Sequence, residues 1–307
     1  MFGIKRAFEK YLGKQAIEKL VIQGKSAPLV DKHLERKVVL TVAGDQLTGK
    51  STLAKKLIAH NAINDRFEDI IVWSTGKTMR QLAAERNQSI GEFSNSTMDG
   101  TSTDCQHIDI SIDYRTCELI MNNVKGLRRG KANHEAMDLF MIEGRQPAVM
   151  ATFCQFLNRD LLHLPLFRIY LTCSLKEQAA RYFQREVGDE ETIETVNTLL
   201  QNFEVPQSDS NATLIQIADF LLEHKNMFCG KDDAIHKFHE NAKRDENDRR
   251  RFYGLYNKEN YYRNLDFYDL VIDTTDISEE EKVNSCIDGL SAWLNRKTNA
   301  NAINASL

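Results

Sequence analysis

The chain has 307 residues, 42% of them hydrophobic and 27% charged, with 40 Lys plus Arg against 44 Asp plus Glu and a formal net charge of -4. That length and hydrophobic content suffice for a core of one or two domains, and the near balance of charge excludes the global basic field that draws a protein to nucleic acid. Six cysteines fall without a Cys-x-x-Cys pair, which excludes a disulfide scaffold and fits a reducing, cytoplasmic setting.

In chain order, residues 4–22 set Ile4, Phe8, Leu12, Ile17 and Leu20 at spacings of three to five, with Lys5, Arg6, Lys10, Lys14 and Lys19 between them. The spacing predicts an amphipathic helix within an N-terminal extension, 1–36, docked on the core or on a partner. Lys and Glu break every apolar run in 1–24, so no signal peptide is expected, and no stretch approaches the ~20 apolar residues of a membrane span. From residue 37 short apolar or β-branched runs alternate with segments of helical period: 37–43 (KVVLTVA), 69–75 (DIIVWST), 138–143 (DLFMIE), 166–173 (LFRIYLTC) and 269–274 (DLVIDT). Strands this apolar are covered on both faces, which predicts an α/β three-layer fold with a five-stranded parallel sheet flanked by helices. The domain so defined, 37–296, is interrupted at about 188–243 by a segment with Leu214, Ile217, Ala218 and Leu221 at helical spacing, read as a helical insertion. Residues 297–307 are small and polar and read as a flexible tail.

Between the first strand and the helical segment 50–60 stands GDQLTGKST, 44–52, which matches G-x-x-x-x-G-K-[ST] in the strand, loop, helix order that the motif requires. Gly44, Asp45, Gln46, Leu47, Thr48, Gly49, Lys50, Ser51 and Thr52 would cradle nucleotide phosphates: the glycines let backbone N–H groups turn inward, and the helix points its positive end at the same place. Lys50 would bridge the β- and γ-phosphates of ATP, and the Ser51 hydroxyl would ligate Mg²⁺. No Asn-Lys-x-Asp segment follows to read guanine, which argues against a GTPase. Arginines that a second phosphate would need occur at Arg80, Arg145, Arg181, Arg185, Arg244 and Arg251, and Arg145 follows a strand at its C-terminal end, where ligands bind on open parallel sheets.

Four segments then resemble the nucleoside monophosphate kinases, in particular the cytidylate kinase-like group and its short archaeal-type members. They are GDQLTGKST, STGKTMRQLA at 74–83, MIEGRQPAVM at 141–150, and RDENDRRR at 244–251 followed by FYGLYN and DFYDLVIDTT. The resemblance covers about 37–187 and 244–296. It implies a P-loop kinase that transfers the terminal phosphoryl group of ATP, with Mg²⁺, to a nucleoside monophosphate, with CMP or dCMP preferred and uridylate or adenylate open. It further implies that Arg80 and Arg145 clamp the acceptor phosphate and that Asp248 contacts the acceptor sugar. Arg181, Arg185, Arg244 and Arg251 would form the closing lid, and Asp113 would line the acceptor site. Lys50, Arg145, Arg185 and Arg251 are the catalytic set in this reading.

The chain departs from the family at Asp45, Gln46 and Leu47, where smaller residues and Gly are usual, and in the segments 1–36 and 188–243. Two other readings stay open on that account: a kinase of another small metabolite, and a nucleotide-binding scaffold or switch that meets a protein partner through 1–36 or 188–243.

Overall fold

The structure, a computed structural model, describes residues 37–88, 93, 112–122, 137–157, 164–203, 213–228, 231–256 and 263–304, with side chains left out at 156–157, 248–256 and 297–304. The extension 1–36 and its amphipathic stripe lie outside the described residues.

Five strands form one all-parallel sheet in the order β2-β3-β1-β4-β5. They are β1 (Lys37–Gly44), β2 (Phe67–Ser74), β3 (Met137–Glu143), β4 (Leu166–Thr172) and β5 (Leu270–Asp273). The helices are α1 (Lys50–Ala59), α2 (Asn61–Asn64), α3 (Thr75–Glu85), α4 over 112–122, α5 (Pro147–Leu157), α6 (Leu175–Glu186), α7 (Glu190–Asn202), α8 (Leu214–Glu223), α9 (Asp232–Tyr256) and α10 (Glu279–Asn304). All five strand expectations land on strands. The three-layer α/β architecture follows from the apolar runs of β1, β3 and β4, whose successive side chains go to opposite faces and are buried on both.

On one face Val39, Ala43, Phe140, Ile142 and Tyr170 pack against Ala148, Val149, Phe153 and Cys154 of α5 and against Cys117 and Ile120 of α4. On the other, Val38, Leu40, Val42, Leu139, Met141 and Phe167 meet Leu53 and Leu57 of α1 and Val283, Cys286, Leu290 and Trp293 of α10. Each such side chain contributes roughly 1.5–3 kcal/mol by leaving water, so these two layers dominate the stability of the sheet. The edge of the sheet is held differently: buried Arg168 of β4 pairs with Asp269 through Nε at 2.9 Å and Nη2 at 3.1 Å, just before β5.

A third core lies among α6, α7, α8 and α9, where Tyr182, Phe183, Val196, Leu200, Ile217, Leu221, Ile235 and Phe238 pack together. Its helices are stopped and started by side chains that satisfy exposed amides. Ser174 accepts from Glu177 N, Asp189 from Thr192 N, and Thr213 forms a capping box with Gln216. The Asp189 carboxyl is held down at about 2 by its hydrogen bonds from Thr192 and Lys231.

Two boundaries differ from expectation. The insertion does not end at 243, because α9 runs unbroken from Asp232 to Tyr256, with neither Gly nor Pro before Gly254 to stop it. The tail is not flexible over 297–304, since α10 continues to Asn304; once a helix is nucleated, each further residue adds a hydrogen bond at little cost. Among the described residues no helix is long and apolar enough to cross a membrane.

Candidate functional site

The strand order creates the site. The connection from β1 runs through α1 past β3 to β2, while the connection from β3 runs through α5 past β1 to β4. The loops after these neighbouring strands therefore leave in opposite directions and open a crevice at their C-terminal ends. Residues 44–49 form one lip and 144–146 the other.

The first lip is tightly specified. Gly44 has φ 150, and an added Cβ would meet the Leu171 carbonyl oxygen at 2.6 Å and Thr48 Oγ1 at 2.8 Å. Leu47 holds a left-handed φ of 61 without being glycine. The strain is offset by two anchors: its side chain packs against the third core, and its carbonyl accepts a hydrogen bond from Arg181 Nη1 at 3.2 Å. Thr48 Oγ1 donates to the Asp45 carbonyl at 3.0 Å, and Lys50 Nζ donates to the same oxygen.

At the second lip, β3 ends in Glu143, a buried carboxylate paired in register with Val42. Ser51 Oγ donates to Glu143 Oε2 at 3.0 Å, and Ser74 Oγ, which also caps α3, donates to Oε1. Thr75 donates to the Glu143 carbonyl at 3.3 Å, a contact possible because residue 144 is glycine; a Cβ there would lie 2.1 Å from Thr75 Oγ1. Sequence reasoning passed over Glu143, although an acidic residue closing the apolar run DLFMIE was the available signal. Enclosure of the Lys50 ammonium lowers its pKa from 10.5 to about 8, with nearby Arg145 pushing the same way and the carboxylates of Glu143, Asp45 and Asp245 opposing.

A cleft of about 700 Å³ runs between the lips. It brings together Lys50, Ser51, Arg80, Asp113, Arg145, Arg181, Arg185 and Arg244, drawn from five helices and two loops, as the sequence reading requires. Six cations face four carboxylates there, Asp113, Glu143, Glu186 and Glu279, so the cleft carries a positive excess inside a chain of net charge -4. Asp113 is buried and accepts from Gln146 Nε2 at 2.5 Å. Met79, Ile112, Pro147 and Met150 supply an apolar stretch beside it, of the kind that accepts the flat face of a small organic group.

Neither a family model nor a curated protein matches this chain. The assignment of roles rests on the side chains themselves, and they modify the expected set. Arg181 is no loose lid residue: Nε bonds Glu177 at 2.8 Å, and its guanidinium reaches Leu47 O, Thr274 Oγ1 and Thr274 O, which fastens α6 to both the 44–49 loop and the end of β5. Arg185 is exposed and paired with Glu186 at 2.6 Å. The Asp45 carboxylate turns away from the cleft to Arg263, whose Nε lies at 3.0 Å and Nη2 at 2.9 Å. A carboxylate is thereby drawn off the lip, where it would repel an anion. Asp248 and Arg251 sit on α9, but their side chains lie outside the described residues.

A divalent cation fits the lips in one place. The Ser51 hydroxyl and the Glu143 carboxylate are hard oxygen donors 3.0 Å apart, and among the described residues no group of three or more His, Cys, Asp and Glu side chains could hold a metal by itself. Such a pair suits Mg²⁺, which takes one or two protein ligands and fills its shell with water and phosphate oxygen.

Proposed function

We propose that this chain is an ATP-dependent phosphotransferase of the nucleoside monophosphate kinase type, with CMP or dCMP as the preferred acceptor. The observation that carries the reading is convergence. Lys50 and Ser51 on one lip, Glu143 and Arg145 on the other, and Arg80 and Arg244 from separate helices all border one cleft. The base preference rests on the resemblance to cytidylate kinases alone.

In this reading the 44–49 loop and the N-terminus of α1 hold the ATP phosphates, with the charged Lys50 ammonium swinging from the Asp45 carbonyl to the transferring group. Ser51 and Glu143 would hold Mg²⁺, which supplies charge neutralisation on phosphate oxygens when bound. Arg145 and Arg80 orient the acceptor phosphate, whose oxygen is already a competent nucleophile, so no general base is needed and alignment is the main task. Arg185 and Arg244, carried by α6 and α9, would approach the anionic centre and exclude water that would otherwise hydrolyse ATP.

The test is to incubate the protein with ATP, Mg²⁺ and each common ribo- and deoxyribonucleoside monophosphate, counting ADP and diphosphate product together. Equal amounts of ADP and CDP from CMP are expected, with loss of roughly 100-fold or more in Lys50→Ala and Arg145→Ala. ATP binding without transfer to any monophosphate would instead favour the scaffold reading, which gains some support from the third core gripping Leu47 and so the nucleotide loop.

A further inference from the structure

The guanidinium that the acceptor phosphate would need is already engaged inside the protein. Arg145 Nη2 donates to Asp245 Oδ1 at 2.5 Å, and both side chains are largely buried. The other oxygen of Asp245 faces Arg263 Nη2 at 3.9 Å, beyond hydrogen-bond range. That same guanidinium is committed to Asp45 at 2.9 and 3.0 Å. Four charges of alternating sign therefore run from the 44–49 loop, through the segment before β5, across α9, to the lip after β3.

The distances make this chain unequal. Arg263 is bound to Asp45 and only near Asp245, while Asp245 is bound to Arg145. An arriving phosphate, with nearly two charges and more oxygens than a carboxylate, outcompetes Asp245 for a guanidinium fork. Asp245 is then left in a dry place facing Arg263, and a buried carboxylate without a cation is costly. A second cavity of about 250 Å³, lined by Asp45, Asp245 and Arg263 together with Tyr170, Gln178 and Leu214, borders the chain and gives these side chains room to exchange partners.

We propose that Asp245 is a positioning residue that holds the place of the acceptor phosphate on Arg145, and that its displacement draws Arg263 from Asp45, so that the 44–49 loop registers acceptor binding. The proposal takes the identity of the anion from the kinase reading. The coupling itself needs only an anion at Arg145. It also gives Asp45, one of the departures in the loop, a role: it is the end of the chain that reports to the nucleotide side.

The test measures inorganic phosphate binding by calorimetry in the full chain carrying Lys50→Met, so that the 44–49 loop does not compete for the probe, with Arg145→Ala abolishing the signal. Asp245→Asn removes the competitor and should tighten phosphate binding about 3- to 10-fold. Asp45→Asn releases Arg263 to hold Asp245 and should also tighten it, yet add nothing in the Asp245→Asn background. Arg263→Gln should weaken binding, opposite in sign, because Asp245 is left to Arg145 alone, and Arg263→Lys should restore it. Additive effects of Asp45→Asn and Asp245→Asn, weaker binding in either, or no phosphate binding at Arg145 would overturn the proposal. The two variants at 45 and 263 leave Asp245 in place, so a misfolded Asp245→Asn does not remove the test. Transfer is measured separately: this pattern without transfer keeps the coupling and refutes the kinase, and transfer without it refutes the coupling alone.

Discussion

Lys50 shows how a single side chain ties stability to pH. Its folded pKa of about 8 lies below the ordinary 10.5, so as pH rises the native state loses this proton before the unfolded chain does. Below about pH 8 both states are charged and the cost of enclosing the ammonium is fully present. Between about 8 and 10.5 the unfolded chain holds more protons, so this residue's contribution to stability improves with pH. Denaturant unfolding across that window should show the improvement, and Lys50→Met should lose it. Anion binding has the opposite trend, since it needs the charged ammonium: above about pH 8 a nucleotide must bind together with a proton, and affinity falls as pH rises further. Calorimetry in two buffers of different ionisation enthalpy reads this uptake directly. A wild-type protein that binds ADP with no proton uptake at pH 9 would contradict the enclosure of Lys50. Such an environment could not be read from GDQLTGKST. The motif supplied Lys50 and Ser51, but Glu143 comes 92 residues after Ser51, and only the parallel pairing of β1 with β3 sets them together.

At the scale of elements, what is legible depends on how locally each element is specified. β1, β3 and β4 are apolar throughout because both faces are covered, so their sequence carries the signal without reference to anything distant. The helical insertion was legible from its spacing, yet its partners were not: α6, placed by sequence in the kinase domain, contributes Ala179, Tyr182 and Phe183 to the same core as α8 and α9. The boundary at 243 failed for a similar reason, because resemblance marked 244–251 as a new segment while helix propensity saw no break in α9. Two separate cores also make a prediction. Phe238→Ala, in the third core, and Trp293→Ala, which removes a ring 5.4 Å from Phe167, should each cost about 3–5 kcal/mol locally. Hydrogen exchange should show the first loosening α6 to α9 while β1 and β3 stay protected, and the second loosening the sheet. If both variants loosen all elements equally, the cores are one cooperative unit.

For the molecule as a whole, charge is arranged against its own average. A chain of net charge -4 repels a nucleotide at long range, whereas the cleft, with its six cations to four carboxylates, attracts it at short range. The sum of these is set by screening. At low ionic strength the Debye length is ~30 Å, comparable with the protein, and the whole chain is felt; at 0.1 M it is ~10 Å and the cleft dominates. Binding of ADP should therefore depend on salt less steeply at low ionic strength than at moderate, where the weakening of cleft attraction is no longer offset by screening of the distant negative charge. Arg244→Gln removes one cation from the rim without touching the 44–49 loop, so it should flatten the moderate-salt slope and slow association more than it speeds dissociation. Stopped-flow measurement across the two regimes separates the terms. An unchanged slope in Arg244→Gln would mean that this arginine, although it lines the cleft, spends its charge on neighbouring carboxylates, and that attraction is the work of Lys50, Arg80 and Arg145 deeper in.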